Sequence, residues 1–229
     1  MIQFYYARPS LFARPVWFAL LEKGLPFDPV VVDLAKGAQF EPEFIALNPF
    51  GHIPVLVDQE FRVIESQAIL DYLEAKYPEP VLLPSDPESL ARVRMVQMVA
   101  IHELLPGIGG LLVHHKTPDE VTYSQARITT VLRFLEDLLG DRPYFAGEGF
   151  TMAEVVAGTL IPDLPQVEIS LASYPGLEAW ADRVRSRPSW QQIHPTLEEF
   201  DHFKRHLGVA VKVWQKRRRQ RLQALQAST

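Results

Sequence analysis

The stretch Asn48-Pro49-Phe50-Gly51-His52-Ile53-Pro54-Val55-Leu56-Val57 decides how the rest of the chain is read. A loop holding two prolines and a glycine runs straight into an apolar strand. Proline has no N–H to give to a sheet ladder, so Pro54 belongs at the entrance of that strand and not inside it. A cis bond there would turn the Ile53 backbone outward, free to pair with an extended peptide laid alongside as an extra strand. Glu65-Ser66-Gln67 follows at a strand-to-helix junction, where backbone amides suit a negatively charged group. Together the two stretches predict a site for a small anionic peptide.

Working outward, Ile2 to Tyr6 is β-branched and aromatic and reads as a strand. A helix follows from about Ala13 to Lys23, with Pro15 in its first turn and apolar residues nearly all round, so it should be buried. Gly24 and Pro26 stop it. Pro29-Val30-Val31-Val32 forms a second strand, and strand-helix-strand favours a parallel pair with a right-handed crossover. Glu41 to Leu47 is a short helix. Val55-Leu56-Val57 and Arg62-Val63-Ile64 form a hairpin across Asp58-Gln59-Glu60. Ser66 to Tyr77 is a helix with Ile69, Leu70, Leu73 and Tyr77 on one face. The order βαβ-α-ββα makes residues 1–77 an α/β, thioredoxin-like domain.

Pro78, Pro80, Pro84 and Pro87 mark residues 78–87 as a linker. Residues 88–207 read as an all-α helical domain. One long helix spans about Glu88 to His114 with a bend expected at Pro106-Gly107, and another spans Pro118 to Leu139. Phe150-Thr151-Met152-Ala153-Glu154-Val155 has the parts of a helix start: Thr151 caps, Glu154 reaches back and Phe150 staples onto Val155. That helix should run toward Pro162. Further helices run from Pro175 to Arg185 and from Ser189 to about Leu197. Residues 208–229 form a basic C-terminal tail, readable as an amphipathic helix with Val209, Val213 and Trp214 on one side.

Composition narrows the function. The 229 residues contain no cysteine, which excludes disulfides, thiolate metal sites and a protein thiol nucleophile. A net charge of −5 argues against nucleic acid as the main partner. Lys212, Lys216, Arg217, Arg218, Arg219 and Arg221 cluster in the tail, so the body is more acidic than that total; so short a basic run reads as a solvated face. No uninterrupted apolar run has membrane-spanning length, and Gln3, Arg8 and Arg14 interrupt any leader peptide, so a cytoplasmic protein without membrane contact is expected. His102, His114 and His115 lack metal-ligand spacing, and no metal is expected.

Three segments now resemble one family. Asn48 to Leu56 followed by Glu65-Ser66 is similar to the glutathione-site signature of the cytosolic glutathione S-transferases. Ser10-Leu11-Phe12-Ala13-Arg14 resembles the Ser-x-x-x-Arg arrangement of their serine-type (theta/delta/phi-like) classes. Tyr174 to Trp180 with Arg187-Pro188 is similar to the family's C-terminal helical motif. The resemblance covers about residues 1 to 205. Glu154 stands where the family usually carries Asp, and the cysteines of the beta, omega and isomerase types are missing.

The resemblance implies glutathione as co-substrate, a small apolar electrophile as second substrate, a homodimer, and transfer chemistry of the detoxification kind. It implies that Ser10 donates a hydrogen bond to the thiol; as residues alone, Ser10 equally reads as a cap on the first helix. Ile53 would hold the cysteinyl backbone with Pro54 setting the geometry. Glu65 would take the γ-glutamyl ammonium and Ser66 its carboxylate, while Ser66 as a plain helix cap is the rival. Gln39 and His52 would meet the glycyl carboxylate. Phe12, His102, Leu105, Pro106 and Val113 would line the electrophile pocket. Phe50 would insert into a partner subunit, against the alternative that it packs in its own domain. Tyr5 and Tyr6 read as strand packing and Arg14 as paired with a carboxylate. Glutathione-dependent peroxide reduction, or a non-catalytic binding or regulatory protein on the same fold, are the alternatives to transfer.

Overall fold

The computed structural model describes residues 1–112, 117–196, 198–201 and 203–205. The expectations for Val113, His114, His115, Leu197 and the basic tail therefore lie outside the described residues. Four strands, β1 (Ile2–Tyr6), β2 (Phe27–Val31), β3 (Val55–Asp58) and β4 (Phe61–Ile64), form one sheet in the order β2-β1-β3-β4. β2 runs parallel to β1, while β3 and β4 are antiparallel to their neighbours. β2 is an edge strand with Val31 and Pro29 exposed, which is where a proline is tolerated.

β1 alternates. Ile2, Phe4 and Tyr6 enter the main core, while Tyr5 turns to the other face and meets the Phe44 ring edge-on. Tyr5 and Tyr6 are thus packing residues. The first face carries helices α1 (Ala13–Glu22) and α3 (Ser66–Lys76); the second carries α2 (Pro42–Leu47), whose Phe44 packs with Val32 and Val55. Every residue of α1 from Ala13 to Leu20 is buried. The helix needs apolar residues all round because α3 packs on one side of it and helices of the second half on the other.

The second half begins with α4 (Pro87–Val99), capped by Asp86, whose side chain accepts the Ser89 amide. The predicted bend is a π-helical turn over Ala100–Leu104 leading into α5 (Leu105–Leu112). It falls one turn earlier than Pro106 because the defect of a proline lies at the carbonyl four residues back. That carbonyl, His102 O, is taken instead by Arg127 Nη2 at 2.6 Å from α6 (Pro118–Leu139). The run Pro87–Leu112 is long and apolar enough to cross a membrane by length and composition, but Val93, Val96, Ala100, Leu104, Ile108 and Leu112 are buried against the other helices, as in a core helix.

The Thr151–Glu154 capping box opens α7 (Met152–Ala157) as expected. Phe150 packs against the same core as Val155, edge-on to Phe18 and Tyr144 with the Arg187 guanidinium 4.0 Å above its ring. α7 stops at Ala157, short of Pro162. Gly158 follows, packed so tightly that an added Cβ would collide with Glu154 O and Val184, and its carbonyl accepts Trp190 Nε1 at 2.8 Å. A 3-10 run, Ile161–Val167, continues to α8 (Pro175–Arg185) and α9 (Pro188–Ile193), the last also shorter than predicted.

Candidate active site

Topology gathers the site before any side chain is considered. β1 ends at Tyr6, opposite Val31 at the end of β2, while Tyr5 faces Val55 at the start of β3, and Val55 faces Ile64 at the end of β4. The loops carrying Ser10, Gln39, Ile53-Pro54 and Glu65-Ser66 therefore all leave the same end of the sheet. Their separation in sequence is a consequence of the strand directions.

Ser10 lies in a turn before α1, 6 % exposed, with its amide donating to Ala7 O at 3.0 Å. Its Oγ accepts the Ala13 amide at 3.2 Å, and its carbonyl accepts Arg14 N at 3.0 Å. The N-cap of α1 is Phe12, without a side-chain cap bond, so Ser10 supports the helix start from two residues before it; as an acceptor the hydroxyl keeps its own hydrogen to donate. The start of a ten-residue helix adds positive potential at the same place.

The Ile53–Pro54 peptide is cis, and the Ile53 backbone makes no hydrogen bond among the described residues. Asn48, which sequence reasoning did not single out, shapes the loop before it. Its Nδ2 donates to His52 O at 2.7 Å, and its Oδ1 accepts Phe50 N at 3.1 Å. Gly51 has φ +66, and a Cβ there would come within 3.1 Å of Gln39 O and the Phe40 ring. Glycine is needed on both counts. Gln39 is thereby buried beside this loop, with its Oε1 unpartnered, while His52 is exposed.

Glu65 is a non-glycine residue at φ 69 and forms the N-cap of α3 without a side-chain cap bond. Such strain is characteristic of functional positions. Ser66 is the first helical residue and not the cap, so the plain-cap role expected for its side chain is not realised. The neighbouring Gln67 has both amide atoms buried and unpartnered.

The described residues among those expected around an electrophile differ in exposure. Phe12 is 49 % exposed at the start of α1, but Leu105 is 8 % exposed and belongs to the core. His102 and Pro106 are exposed on the π turn and α5. A groove of ≈ 600 Å³ does exist, but it lies between α4 and α6, lined by Val99, Tyr123, Ala126, Arg127, Val131 and Phe134, and includes none of them. The Phe50 ring does not pack into its own domain; it is 58 % exposed.

Two arginines flank Ser10. Arg14 is fully buried and donates Nη1 to Asp163 Oδ2 at 2.7 Å, and Asp163 Oδ1 lies 3.2 Å from His194 Nδ1. Burial pushes the Asp163 carboxyl up, but Arg14 and His194 outweigh it and hold it below the usual range. Arg8 reaches Glu199 and stacks over Trp17. Asp163, His194 and Glu199 had no local signal in the sequence. Among the described residues no group of three or more His, Cys, Asp or Glu side chains could hold a metal.

Comparison with known proteins agrees with this arrangement. The N-terminal domain model of glutathione S-transferases matches residues 4–81, and the C-terminal domain model matches residues 95–188. The chain belongs to the glutathione S-transferase family. Among its relatives, glutathione S-transferase F14 of Arabidopsis thaliana is 32 % identical over 191 residues, covering 76 % of this chain and 75 % of the relative. A maleylacetoacetate isomerase of Pseudomonas aeruginosa is 34 % identical over 203 residues, covering 83 % and 93 %. A delta-class glutathione transferase of Nilaparvata lugens superposes with a TM-score of 0.80 at 27 % identity, covering 92 % of this chain and all of that one. A glutathione transferase homologue from Sulfitobacter, solved with bound glutathione, gives a TM-score of 0.73 at 25 % identity, covering 84 % and 96 %. As a glutathione S-transferase family member, the chain has the mixed four-stranded sheet in its first half and the helical second half that these relatives share.

Proposed function

We propose that this protein is a serine-type glutathione transferase that activates the glutathione thiol and directs it at an apolar electrophile. The observation that carries the proposal is the Ser10 hydroxyl. It sits at the strand end where Ile53, Glu65 and Ser66 gather, and accepts a backbone amide, so its hydrogen remains for a sulfur anion. A free thiol titrates at about 8.5, and lowering that by two units takes about 2.7 kcal/mol. One charge-assisted hydrogen bond with a helix start is of that order.

In this proposal the Ile53 amide and carbonyl hold the cysteinyl part, with Pro54 at the strand entrance. Glu65 and Ser66 hold the γ-glutamyl end, and Gln39 and His52 meet the glycyl carboxylate. The electrophile approaches from Phe12 and the helical half. Residues 1–77 bind glutathione, 78–87 link, and 88–207 face the second substrate. The protein acts in the cytoplasm as a two-fold dimer, and the exposed Phe50 and the α4–α6 groove suit each other as knob and recess between copies.

Relatives with other activities, such as the maleylacetoacetate isomerase and the disulfide-bond oxidoreductase YfcG of Escherichia coli, favour thiolate formation as the common element over any one electrophile. Peroxide reduction by the same thiolate is the second reading. The test titrates bound glutathione by ultraviolet thiolate absorbance in wild type and Ser10→Ala. Wild type should lower the thiol pKa by about two units, and the variant should lose most of that shift while keeping affinity. An unperturbed thiol in wild type overturns transfer and peroxidase readings together. A panel of aryl halides, isothiocyanates and hydroperoxides then separates those two.

A further inference from the structure

Ser10 is carried by a short buried turn, and its two neighbouring arginines, Arg8 and Arg14, both reach out of the sheet half. The turn is gripped from both sides by the far end of the chain. On one side, Arg8 Nε lies 2.9 Å from Glu199 Oε1 and 3.0 Å from Oε2. Arg8 Nη2 donates at 3.2 Å to both Gln192 O and His194 O, and the guanidinium carbon stands 5.2 Å from the centre of the Trp17 ring. On the other side, Arg14, whose amide donates to Ser10 O, is held by Asp163, and Asp163 meets the imidazole of the same His194. His194 is itself stacked on Trp190 at 4.4 Å. The carboxylate of Glu199 is fixed in turn by the Thr196 amide at 2.8 Å.

We propose that Arg8 is a positioning residue for Ser10, clamped by Glu199 and the carbonyls of Gln192 and His194. It acts through the turn and not by its charge, because its guanidinium is committed to these partners. The inference rests on the proposed role of Ser10. A half-exposed ion pair alone contributes little, but three hydrogen bonds from one planar fork to Glu199, Gln192 O and His194 O fix orientation, which a single pair does not. A hydrogen bond aimed at sulfur weakens steeply with misalignment, so a small rotation of the turn is felt as a loss of thiolate.

Two variants separate positioning from electrostatics by sign. Arg8→Met removes the fork and should raise the thiol pKa of bound glutathione by about 0.5–1 unit, a three- to tenfold loss of thiolate at pH below that pKa. Glutathione affinity should change less than about threefold, since the groups proposed to bind the peptide are untouched. Glu199→Ala removes a negative charge. If charge alone mattered, the thiol pKa would fall; released from its anchor, the turn should instead raise it, by a smaller amount than Arg8→Met. Arg8→Lys, which keeps the charge without the fork, should resemble Arg8→Met. Arg187→Met is the control. It breaks another bridge between the two halves, with Glu22 Oε1 at 2.8 Å at the far end of α1, and should lower the melting temperature without moving the thiol pKa. A fall or no change in Glu199→Ala overturns the proposal, as does an equal rise in Arg187→Met. If Ser10→Ala moves the thiol pKa and the Arg8 variants do not, the role of Ser10 stands and the clamp is refuted. If wild type leaves the thiol unperturbed, the proposed function fails and the clamp with it.

Discussion

The buried pair Arg14–Asp163 is open to a double-mutant cycle. Both side chains are almost wholly enclosed, 1 % and 8 % exposed, and they meet at 2.7 Å. Removing one member strands the other as an uncompensated buried charge, which costs about 3–5 kcal/mol. Arg14 Nε and Nη2 are also buried without partners, so the wild-type arginine is incompletely satisfied and the lower end, about 3 kcal/mol, applies to Arg14→Met. Asp163→Leu should cost more, because the cation then has no partner at all. The double variant removes both charges and leaves His194 and the Gln166 amide, which donates to Asp163 Oδ1 at 3.5 Å, short of a contact. It should lie within about 1–2 kcal/mol of wild type, giving a coupling of about 3 kcal/mol or more. Urea unfolding followed by circular dichroism, at one protomer concentration for all four proteins, reads these differences. Additive single costs would refute the argument. Acidity gives an independent check. In wild type the Asp163 carboxyl lies below its unfolded value of 3.8, so its contribution is full above that value and is lost only as pH falls through the folded one. Without Arg14, burial is opposed by His194 alone and the folded value rises. A raised carboxyl adds stability at low pH that is lost as pH increases. Arg14→Met should therefore recover part of its deficit as pH falls toward the unfolded value of 3.8, and Asp163→Leu should not.

Two further substitutions test the loop and the join between the halves. Gly51→Ala places a methyl 3.0–3.1 Å from the Phe40 ring and Gln39 O at φ +66, costing about 1–2 kcal/mol in backbone strain and displacing Gln39; glutathione affinity by calorimetry should weaken several-fold, and an unchanged affinity would remove this loop from the site. Lys23→Met takes away a fully buried ammonium that bonds Glu74 at 2.6 Å and the carbonyls of Tyr77 and Pro80 at 2.8 Å; a loss of about 3 kcal/mol should lower the melting temperature by about 6–12 °C while the thiol pKa stays put, and a shift below about 2 °C would show the clasp to be dispensable.

The parts legible in the sequence were those whose signal is local. α6 and α8 begin and end where Pro118, Pro175, Gly140 and the caps place them, and the Thr151–Glu154 box closed as its spacing predicted. Pro54 and Gly51 announced the loop because each residue type tolerates few backbone states. The errors came where a distant partner decided. α7 ends early because Gly158 lies against Val184 and serves Trp190, neither of which its own sequence names. The bend of the long helix sits at Ala100–Leu104 because Arg127 satisfies the carbonyl that Pro106 leaves. For Leu105, an apolar residue on a helix, the sequence carries no mark of which side is covered, and only the structure places it in the core. Arg14 showed that it needed a carboxylate, but nothing within 149 residues of chain said which one.

That last point bears on how the two halves divide the chemistry. Every group proposed to hold glutathione belongs to the sheet half, and each is placed by strand register and loop chemistry inside that half. The group proposed to activate sulfur is different. Ser10 lies between Arg8 and Arg14, and both of these end on residues of the helical half. α1, which begins three residues later, buries one side against α7 and α9 and is tied at its last residue, Glu22, to Arg187 and Ser189. An isolated sheet half would strand a buried arginine, uncover an apolar helix face and release the Ser10 turn while leaving the Ile53 and Ser66 loops their own register. Binding can thus be local where activation is not, because a peptide is held by backbone groups that strands fix, whereas a hydroxyl must be aimed by whatever packs behind it.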